Sequence, residues 1–416
     1  MNCAGSPQAS PRSPPSSRSS TPRPAASFVS QVTSGQVALK VGIVAGEASG
    51  DTLGAAFIAA VRAREPGAQF FGVAGPKMIA AGCEAWESAE TLAVMGVTEV
   101  LRHLPRLWRL RRRLEARFRE ARPDVFVGID APEFNLGLGR RLKGAMRTVQ
   151  YVSPQVWAWR QGRVRSIGAS CDLVLCLLPF ERRFYDEHQV PAVFVGHPLA
   201  DRIPLEVDRD AARRALSLPA GATVVAVLPG SRLGEVARLG EDFAGACARL
   251  AQQRAGLSFI APMAGAAVRE LFMSQWRSAA GALPVRMIEG GADRAIIAAD
   301  VVLVASGTAT LETALCKRPM VVAYRLGAIT ALLLRTLGLV KVPYFSQPNL
   351  LAGRRLVPEF FQEAVTPRRL ADALEAELAD PARAAALTRE FLRIHEALRV
   401  DGARRAADAV LDLVGR

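Results

Sequence analysis

The chain has 416 residues, of which 50% are hydrophobic and 22% are charged. This composition excludes a wholly disordered protein, and the length predicts two or three domains with sizeable cores. Lys and Arg outnumber Asp and Glu by 53 to 39, which gives a net charge of +14. The excess of Arg favours partners with phosphates or carboxylates without choosing among nucleic acid, nucleotide and anionic membrane. Charges or turns interrupt every apolar stretch before about 18 residues, so no transmembrane helix is predicted.

The first 36 residues differ from the rest of the chain. They are rich in Ser and Pro and contain Arg but no Asp or Glu, since the first acidic residue is Glu47. Such a segment cannot bury enough apolar surface to fold, so we predict a disordered N-terminal extension over 1–36. Its composition fits an organelle transit peptide. A start of translation near Val37 is the alternative that the Ala- and Arg-rich body of the chain favours.

From Leu39 onward, short β-branched runs alternate with helical stretches, a pattern typical of parallel sheets covered on both faces. In the first half, the predicted strands are Lys40–Ala45, Phe70–Val73, Val125–Ile129, Thr148–Val152, Leu173–Leu177 and Val193–Val195. A charged segment over 199–222 interrupts the pattern. In the second half, the predicted strands are Thr223–Leu228, Leu257–Ala261, Val285–Ile288, Val301–Val304 and Met320–Ala323. The periodic Leu and Ala from residue 370 onward predict helices.

Two such runs separated by a linker predict an α/β fold with two Rossmann-like, doubly wound domains and a cleft between them. We place the first domain at 37–205 and the second at 206–384. The remaining residues, 385–416, are expected to form C-terminal helices.

Ligands of open α/β sheets bind beyond the carboxyl ends of strands, so the residues after each strand are candidates for a site. Gly46 follows the first strand and allows a tight turn, and Ser49 or Asp51 either shapes a ligand site or caps the next helix. Asp130 follows the strand Val125–Ile129. A carboxylate there is placed to act as a general base for a bound hydroxyl, or else it caps the following helix.

In the second half, two Gly/Ser/Thr turns open helices directly after strands. Backbone N–H groups at a helix N-terminus bind phosphate, and the helix dipole favours the anion. Arg232 could add a bidentate contact, and Glu312 lies one turn into its helix, where it could accept hydrogen bonds from ribose hydroxyls. Two such turns favour a nucleotide diphosphate over a lone phosphate. The candidate residues are Gly230, Ser231, Arg232, Ser306, Gly307, Thr308 and Glu312.

A basic amphipathic helix is predicted over Leu104–Phe118. Leu107 and Leu110 lie on one stripe, Trp108 flanks it, and Arg covers the rest. Such a helix lies either on an anionic membrane surface or, as a solvated helix, over the core of the first domain. The sequence signatures of RNA-binding modules are missing, which argues against nucleic acid as the partner.

Trp157 and Trp159 lie beside Arg160, after a predicted strand. Exposed Trp can bind a sugar or an acyl chain, but core packing is the interpretation that we favour.

Several catalytic and metal-binding patterns are missing from the sequence. GxSxG, HExxH and a Walker A lysine are absent, and neither the four His nor the six Cys have the spacing of metal ligands. The acidic pair Asp208 and Asp210 lies in the charged linker and is interpreted as a solvated surface. We therefore expect reduced thiols, no metal and no cofactor.

Ten motifs follow one another along the chain: VAGEASGD (44–51), GVAGPKM (72–78), LAVMGVTEVL (92–101), PDVFVGIDAPEFN (123–135), YVSPQVWAWR (151–160), LPFE (178–181), GHPLAD (196–201), LPGSR (228–232), SGTATLE (306–312) and PNLLAGR (348–354). As a set they closely resemble the motifs of the lipid-A-disaccharide synthases, a family of bacterial glycosyltransferases. The resemblance spans about residue 38 to the C-terminus.

The resemblance implies a GT-B architecture and a defined reaction. UDP-2,3-diacylglucosamine would be joined to 2,3-diacylglucosamine 1-phosphate (lipid X), with inversion at the anomeric carbon. The products would be the β-1,6-linked lipid A disaccharide 1-phosphate and UDP, in lipid A and lipopolysaccharide biosynthesis. No metal is required if protein donors neutralise the leaving diphosphate.

The same resemblance suggests a role for each candidate residue. Asp130 would deprotonate the 6-hydroxyl of the acceptor. Arg232 and the two turns would hold the UDP phosphates, Glu312 would contact the ribose, and Asn349 would help to fix the nucleotide or donor. The acceptor side would be shaped by Gly46, Ser49 and Asp51.

Acylated substrates imply contact with the anionic cytoplasmic face of the inner membrane, so a cytoplasmic, peripheral location is expected. The predicted contact is the basic helix through Leu107, Trp108 and Leu110, with Val94–Leu101 before it. The domain over 37–205 would then bind the acceptor and the membrane, and the domain over 206–384 would bind the UDP-sugar. The helices of 385–416 would pack back on the first domain, and oligomerisation stays open.

Two alternatives remain at this point. Another GT-B protein that uses a UDP-sugar, such as a UDP-N-acetylglucosamine epimerase or a peptidoglycan transferase, would share much of this pattern. A non-catalytic nucleotide-sugar-binding protein at the membrane is the second, against which the position of Asp130 argues.

Overall fold

The computed structural model describes residues 38–93, 100–159, 161–219, 221–327 and 343–416. Three features of the sequence prediction lie outside these ranges: the N-terminal extension 1–36, residues 94–99 before the basic helix, and Arg160.

Within the described residues, the strands form two sheets in which every pairing is parallel. The first sheet contains β1 (Lys40–Ala45), β2 (Gln69–Ala74), β3 (Cys83–Ser88), β4 (Val125–Ile129), β5 (Arg147–Tyr151), β6 (Leu173–Cys176) and β7 (Ala192–Phe194). The second contains β8 (Thr223–Leu228), β9 (Leu257–Met263), β10 (Val285–Glu289), β11 (Val301–Ala305), β12 (Met320–Tyr324) and β13 (Glu359–Phe361). Their spatial orders are β3-β2-β1-β4-β5-β6-β7 and β10-β9-β8-β11-β12-β13.

Helices connect the strands of both sheets. Those associated with the first sheet are α1 (Ala48–Arg64), α2 (Pro76–Ala80), α3 (Glu90–Ala93), α4 (Val100–Ala121), α5 (Pro132–Leu142), α6 (Val156–Trp159), α7 (Val164–Gly168), α8 (Pro179–Asp186) and α9 (Pro198–Arg202). The later helices are α10 (Arg209–Ala215), α11 (Leu233–Gln253), α12 (Ala266–Ala280), α13 (Ala292–Ala298), α14 (Thr308–Leu315), α15 (Gln347–Ala352), α16 (Pro367–Ala379), α17 (Pro381–Leu398) and α18 (Gly402–Leu413). No helix within the described ranges is long and apolar enough to cross a membrane.

Each sheet is covered on both faces, as the alternation of strands and helices predicts. In the first sheet, α1, α2 and α18 pack on one face and α4 and α5 on the other. In the second sheet, α11, α12 and α16 pack on one face, and α10, α13, α14 and α17 on the other. The fully apolar strands therefore lie in the middle layer, where both of their faces are buried.

The strands predicted from the sequence are all present, with bounds that agree to within two residues. Two strands are not predicted from the sequence. β3 lies at one edge of the first sheet, and β13 lies at one edge of the second. Of the six residues of β3, only Cys83 is buried, and β13 has three half-buried residues. Edge strands with one exposed face lack the continuous apolar run by which the central strands are recognised.

Two segments of the chain cross between the sheets and are bonded to each other. The backbone N–H of His197 donates to the carbonyl of Leu398 (3.1 Å). The carboxylate of Asp201 accepts from the N–H groups of Asp401 (3.1 Å) and Gly402 (2.7 Å) at the start of α18. The segment in which the chain leaves the first sheet is therefore hydrogen-bonded, at one joint, to the segment in which it returns from α17 to α18.

A buried pair of basic side chains reinforces this joint. The Nζ of Lys317, just after α14, lies 2.7 Å from Nδ1 of His395 on α17 and donates to the carbonyl of Pro204 (3.2 Å). The Nε2 of His395 lies 2.8 Å from the carbonyl of Ala200. The ring therefore carries its proton on Nε2 and accepts at Nδ1, so the lysine holds α14, α17 and the crossing segment together.

His197 predicts a specific pH dependence of stability. Its Nδ1 accepts from the N–H of Leu199 (3.2 Å), and burial lowers its pKa from 6.5 to about 4. Between those values the unfolded chain is protonated and the folded chain is not, so stability is lost as the pH falls from 6.5 to 4, by about 3 kcal/mol. Denaturant unfolding over this pH range should show that loss, and His197→Asn, which keeps a capping acceptor without titrating, should lose correspondingly less. Parallel pH curves for both proteins would contradict the assignment.

Candidate active site

The strand order reverses at one place in each sheet, between β1 and β4 and between β8 and β11. At these places, Ala45 pairs with Ile129 and Leu228 pairs with Val304. Successive helices leave such a pair of strands toward opposite faces, so a crevice opens at the carboxyl edge. The turns that the sequence analysis selects follow these four strands, and parallel pairing brings them together in two groups.

Asp130 lies at the reversal point of the first sheet. Its side chain is half-buried, and burial raises the pKa of its carboxyl, opposed by the N–H of Ala131. Among the described residues, no side chain caps α5, whose N-cap is Ala131 with a φ of 39°. The alternative that Asp130 caps this helix is therefore not what the structure shows, and its half-buried carboxylate follows β4 at the carboxyl edge of the sheet.

The three residues expected on the acceptor side have different surroundings. A Cβ on Gly46 would lie 2.6 Å from that of Ala131, so glycine allows the β1 turn to approach Asp130 closely. Ser49 is exposed at the start of α1. Asp51 is buried, and its carboxylate accepts from the N–H groups of Lys77 (3.0 Å) and Met78 (2.9 Å). Asp51 thus holds the turn after β2 against α1.

Trp157 is a core residue, as the sequence analysis favours. Its Nε1 donates to Oε1 of the buried Glu181 (3.1 Å), and its ring packs edge-on against Phe180 at 4.8 Å. The Oε2 of Glu181 accepts from the N–H groups of Leu177 and Leu178. Burial raises the pKa of Glu181 to about 7, against the effect of these donors. The carboxylate joins the segment after β5 to the segment after β6.

The turn after β8 has its amide groups engaged by the protein itself. The N–H groups of Ser231 (3.0 Å) and Arg232 (3.3 Å) both donate to Oε2 of Glu235, which closes the first turn of α11. The guanidinium of Arg232 is 78% exposed and lies 4.0 Å from Glu235. The group that this turn offers to an anion is therefore the Arg232 side chain more than the predicted backbone amides.

The turn after β11 is organised differently. Ser306 is tied down, since its N–H donates to the carbonyl of Ala323 and its Oγ to that of Phe345 (both 2.9 Å). Gly307 is the N-cap of α14, and no side chain of the described residues caps this helix. Gly307 and Thr308 are exposed. Of the two predicted anion turns, this one presents an uncapped helix N-terminus.

Glu312 lies one turn into α14, as predicted, and is partly buried. Its Oε1 lies 3.6 Å from Nη2 of Arg202 at the end of α9. Burial raises the pKa of Glu312, while the charge of Arg202 opposes that shift. This ion pair connects the segment that follows the first sheet to the helix of the second anion turn.

Asn349, predicted to help to fix the nucleotide or donor, is buried. The side chain is 0% exposed, its Nδ2 donates to the carbonyl of Val357 (3.0 Å), and its Oδ1 accepts from the N–H groups of Leu356 and Val357. All of its bonding groups are thus directed into the protein. Asn349 therefore holds α15 against the segment before β13.

Comparison with known proteins gives one consistent result. The family model described as lipid-A-disaccharide synthetase matches residues 41–411. The chain is 54% identical over 381 residues to the lipid-A-disaccharide synthase of Pseudomonas paraeruginosa, covering 91% of this chain and 99% of that protein. The chain belongs to the lipid-A-disaccharide synthetase family.

Solved structures of other proteins share the fold of this chain. A putative UDP-N-acetylglucosamine 2-epimerase from Listeria monocytogenes superposes with a TM-score of 0.61 at 10% identity, over 91% of this chain and 97% of that one. The glycotransferase of kitacinnamycin superposes with a TM-score of 0.57 at 20% identity, over 91% of this chain and 99% of that one. At these identities the likeness concerns the fold alone, and it confirms the predicted GT-B architecture.

The packing of the basic helix α4 contradicts the predicted membrane contact through its apolar stripe. Leu110 is 1% exposed and, with Leu114 and Phe118, belongs to the core under α4, against which Leu107 packs. The apolar stripe therefore faces the sheet, so Leu110 cannot contact a membrane. Trp108 is 47% exposed, and the guanidinium of Arg112 lies 3.8 Å from its ring centroid.

Four polar side chains bond to the backbone of the turns after the strands, and the sequence does not predict these roles. Glu235 and Glu181 each accept from two backbone N–H groups, and Gln150 and Asn135 bond the backbone of Asp130. A glutamine between the apolar residues Val149 and Tyr151 of β5 is the available signal for Gln150. Among the described residues, no group of three or more His, Cys, Asp or Glu side chains could hold a metal ion.

Proposed function

We propose that this protein is an inverting glycosyltransferase that joins UDP-2,3-diacylglucosamine to 2,3-diacylglucosamine 1-phosphate. The products are the β-1,6-linked disaccharide 1-phosphate and UDP. Membership of the family supports this reaction, and the half-buried carboxylate of Asp130 at the reversal point of the first sheet carries the mechanism.

Asp130 acts as the general base in the proposed mechanism. Its carboxylate takes the proton of the acceptor 6-hydroxyl while that oxygen bonds to the anomeric carbon of the donor, and the bond from that carbon to the diphosphate oxygen breaks. Partial burial favours this role, because it raises the pKa of the carboxyl toward the pH at which a general base works best. A single displacement from the opposite face accounts for inversion.

The second sheet stabilises the leaving group in this proposal. The exposed guanidinium of Arg232 and the uncapped N-terminus of α14 at Gly307 supply positive charge for the diphosphate. Glu312 contacts the ribose, with Arg202 holding it in place. Protein donors thereby neutralise the charge that develops on UDP as the glycosidic bond breaks.

The alternatives from the sequence are separable by one assay. An epimerase would convert the UDP-sugar without an acceptor, and a binding protein would release no UDP. Purified protein with both acylated substrates should form UDP and the disaccharide in equal amounts, and only when the acceptor is present. Turnover of the UDP-sugar alone, or no UDP release at all, would reject the proposal.

Asp130→Asn should lower kcat by about 100- to 10,000-fold, because the amide cannot accept the acceptor proton. The affinity for UDP, measured by calorimetry, should stay within twofold because the nucleotide site lies in the second sheet. Asp124→Asn is the matched control: Asp124 precedes the same strand at its other end, where it accepts from the N–H of Lys40 (2.8 Å). Full activity of Asp130→Asn would reject Asp130 as the base.

Arg232→Ala should weaken UDP binding by about 10- to 100-fold, since it removes a charge-assisted contact to phosphate. Arg249→Ala provides the control, because Arg249 is exposed near the other end of α11, the helix whose N-cap is Arg232. Calorimetric titration of both variants with UDP separates the two sites. Equal affinities for UDP would remove Arg232 from the diphosphate site.

We propose that the protein lies peripherally on the anionic cytoplasmic face of the inner membrane, with Trp108 on the exposed side of α4 as the contact. Trp108→Ala should reduce sedimentation with vesicles that contain anionic lipid and leave the thermal midpoint unchanged. Ile79→Ala is the control, since Ile79 is equally exposed but lies in α2, on the opposite face of the sheet. Vesicle binding that survives in Trp108→Ala would exclude this contact.

A further inference from the structure

The backbone around Asp130 adopts left-handed conformations at residues other than glycine. Asp130 has a φ of 52°, Ala131 a φ of 39°, and Val152, at the end of the neighbouring strand β5, a φ of 77°. Each such residue costs roughly 1–3 kcal/mol, and most for a β-branched side chain such as valine. These conformations persist only if surrounding groups hold them.

Two buried side-chain amides converge on the carbonyl of Asp130. The Nδ2 of Asn135, on α5, donates to it at 2.8 Å, and the Nε2 of Gln150, on β5, at 3.1 Å. The same two nitrogens also reach the carbonyls of Ile129 (3.2 Å) and Val152 (3.2 Å). The left-handed turns after β4 and β5 are thus bonded to one another through these amides.

The surroundings of Asn135 are shaped to admit the amide. A Cβ on Gly128, in β4, would lie 2.7 Å from the Cβ of Asn135, so only glycine leaves the space in which the amide lies. Asn135 and Gln150 are each 2% exposed. The Oδ1 of Asn135 has no hydrogen-bond partner among the described residues, which is a cost of roughly 1–3 kcal/mol. A buried amide with an unpaired oxygen is a poor device for stability alone.

We propose that Asn135 and Gln150 are positioning residues that set the direction of the Asp130 side chain by holding its carbonyl oxygen. This inference rests on the proposed role of Asp130 as the base. With the carbonyl oxygen held from two sides, the backbone torsions of Asp130 are restricted, so its Cα–Cβ bond keeps one direction and the carboxylate starts from a fixed point relative to the acceptor hydroxyl. A displacement of about 1 Å at a reacting group can lower the rate of turnover by about 100-fold.

Gln150→Met tests the inference, because methionine has a similar volume and no N–H donor. We expect kcat to fall by about 10- to 100-fold, with KM for both substrates and the affinity for UDP within threefold. Lys143→Met is the matched control: the Nζ of Lys143 also bridges two backbone carbonyls, those of Gly168 (2.7 Å) and Cys171 (2.8 Å), at the far end of α5. It should keep full kcat.

A double variant distinguishes positioning of the base from a general structural role. In the Asp130→Asn background, Gln150→Met should cause no further loss of kcat, because the group that it positions is already disabled. An additive loss would overturn the inference. If Gln150→Met kept its kcat while Asp130→Asn was inactive, the positioning role would be overturned and Asp130 would remain the proposed base. An active Asp130→Asn would instead overturn the proposed base.

Asn135→Ser provides a second, independent variant. It should lower kcat and leave KM within threefold, as expected for Gln150→Met. Circular dichroism melting shows whether each variant is folded at the assay temperature. If both Gln150→Met and Asn135→Ser lost the folded state, the amides would serve stability and the inference would fail.

Discussion

Parallel pairing of β1 with β4 and of β8 with β11 is the constraint on which the candidate site depends. At each of these pairs the connecting helices leave toward opposite faces of the sheet, and the strand ends are left uncovered. Asp130 occupies the uncovered edge of the first sheet, and Arg232 and Gly307 that of the second. The joint between the crossing segments, through Asp201, belongs to the same compact unit as both sheets.

Much of the charge at these edges is balanced within the protein. Glu235 accepts from the amides that open α11, and Arg202 pairs with Glu312 across the two halves of the chain. An ionised group that is partly removed from water is costly unless a partner or donor compensates it. These pairs therefore keep the polar groups of the crevice ordered, while the exposed guanidinium of Arg232 stays available to an anion.

The apolar stripe of the basic helix α4 can be predicted from the sequence, but the surface on which it packs cannot. Spacing alone places Leu107 and Leu110 on one stripe, and a stripe of this kind packs equally well on a sheet or on a lipid surface. Packing of the stripe with Val44, Phe71, Val73 and Phe126 of the first sheet decides for the sheet. The side of α4 that stays exposed carries Trp108 beside Arg112.

The sequence by itself determined the central strands, the two-sheet architecture, the family and the position of Asp130, because apolar runs and the turns that end them are local signals. It could not find the edge strands β3 and β13, which lack a continuous apolar run. Only the tertiary structure decided which motif residues face the crevice: Asp51 and Asn349 are buried and bonded to backbone far along the chain or beyond their own helix. The same holds for Gln150, because burial and hydrogen-bond partners depend on residues that folding brings together.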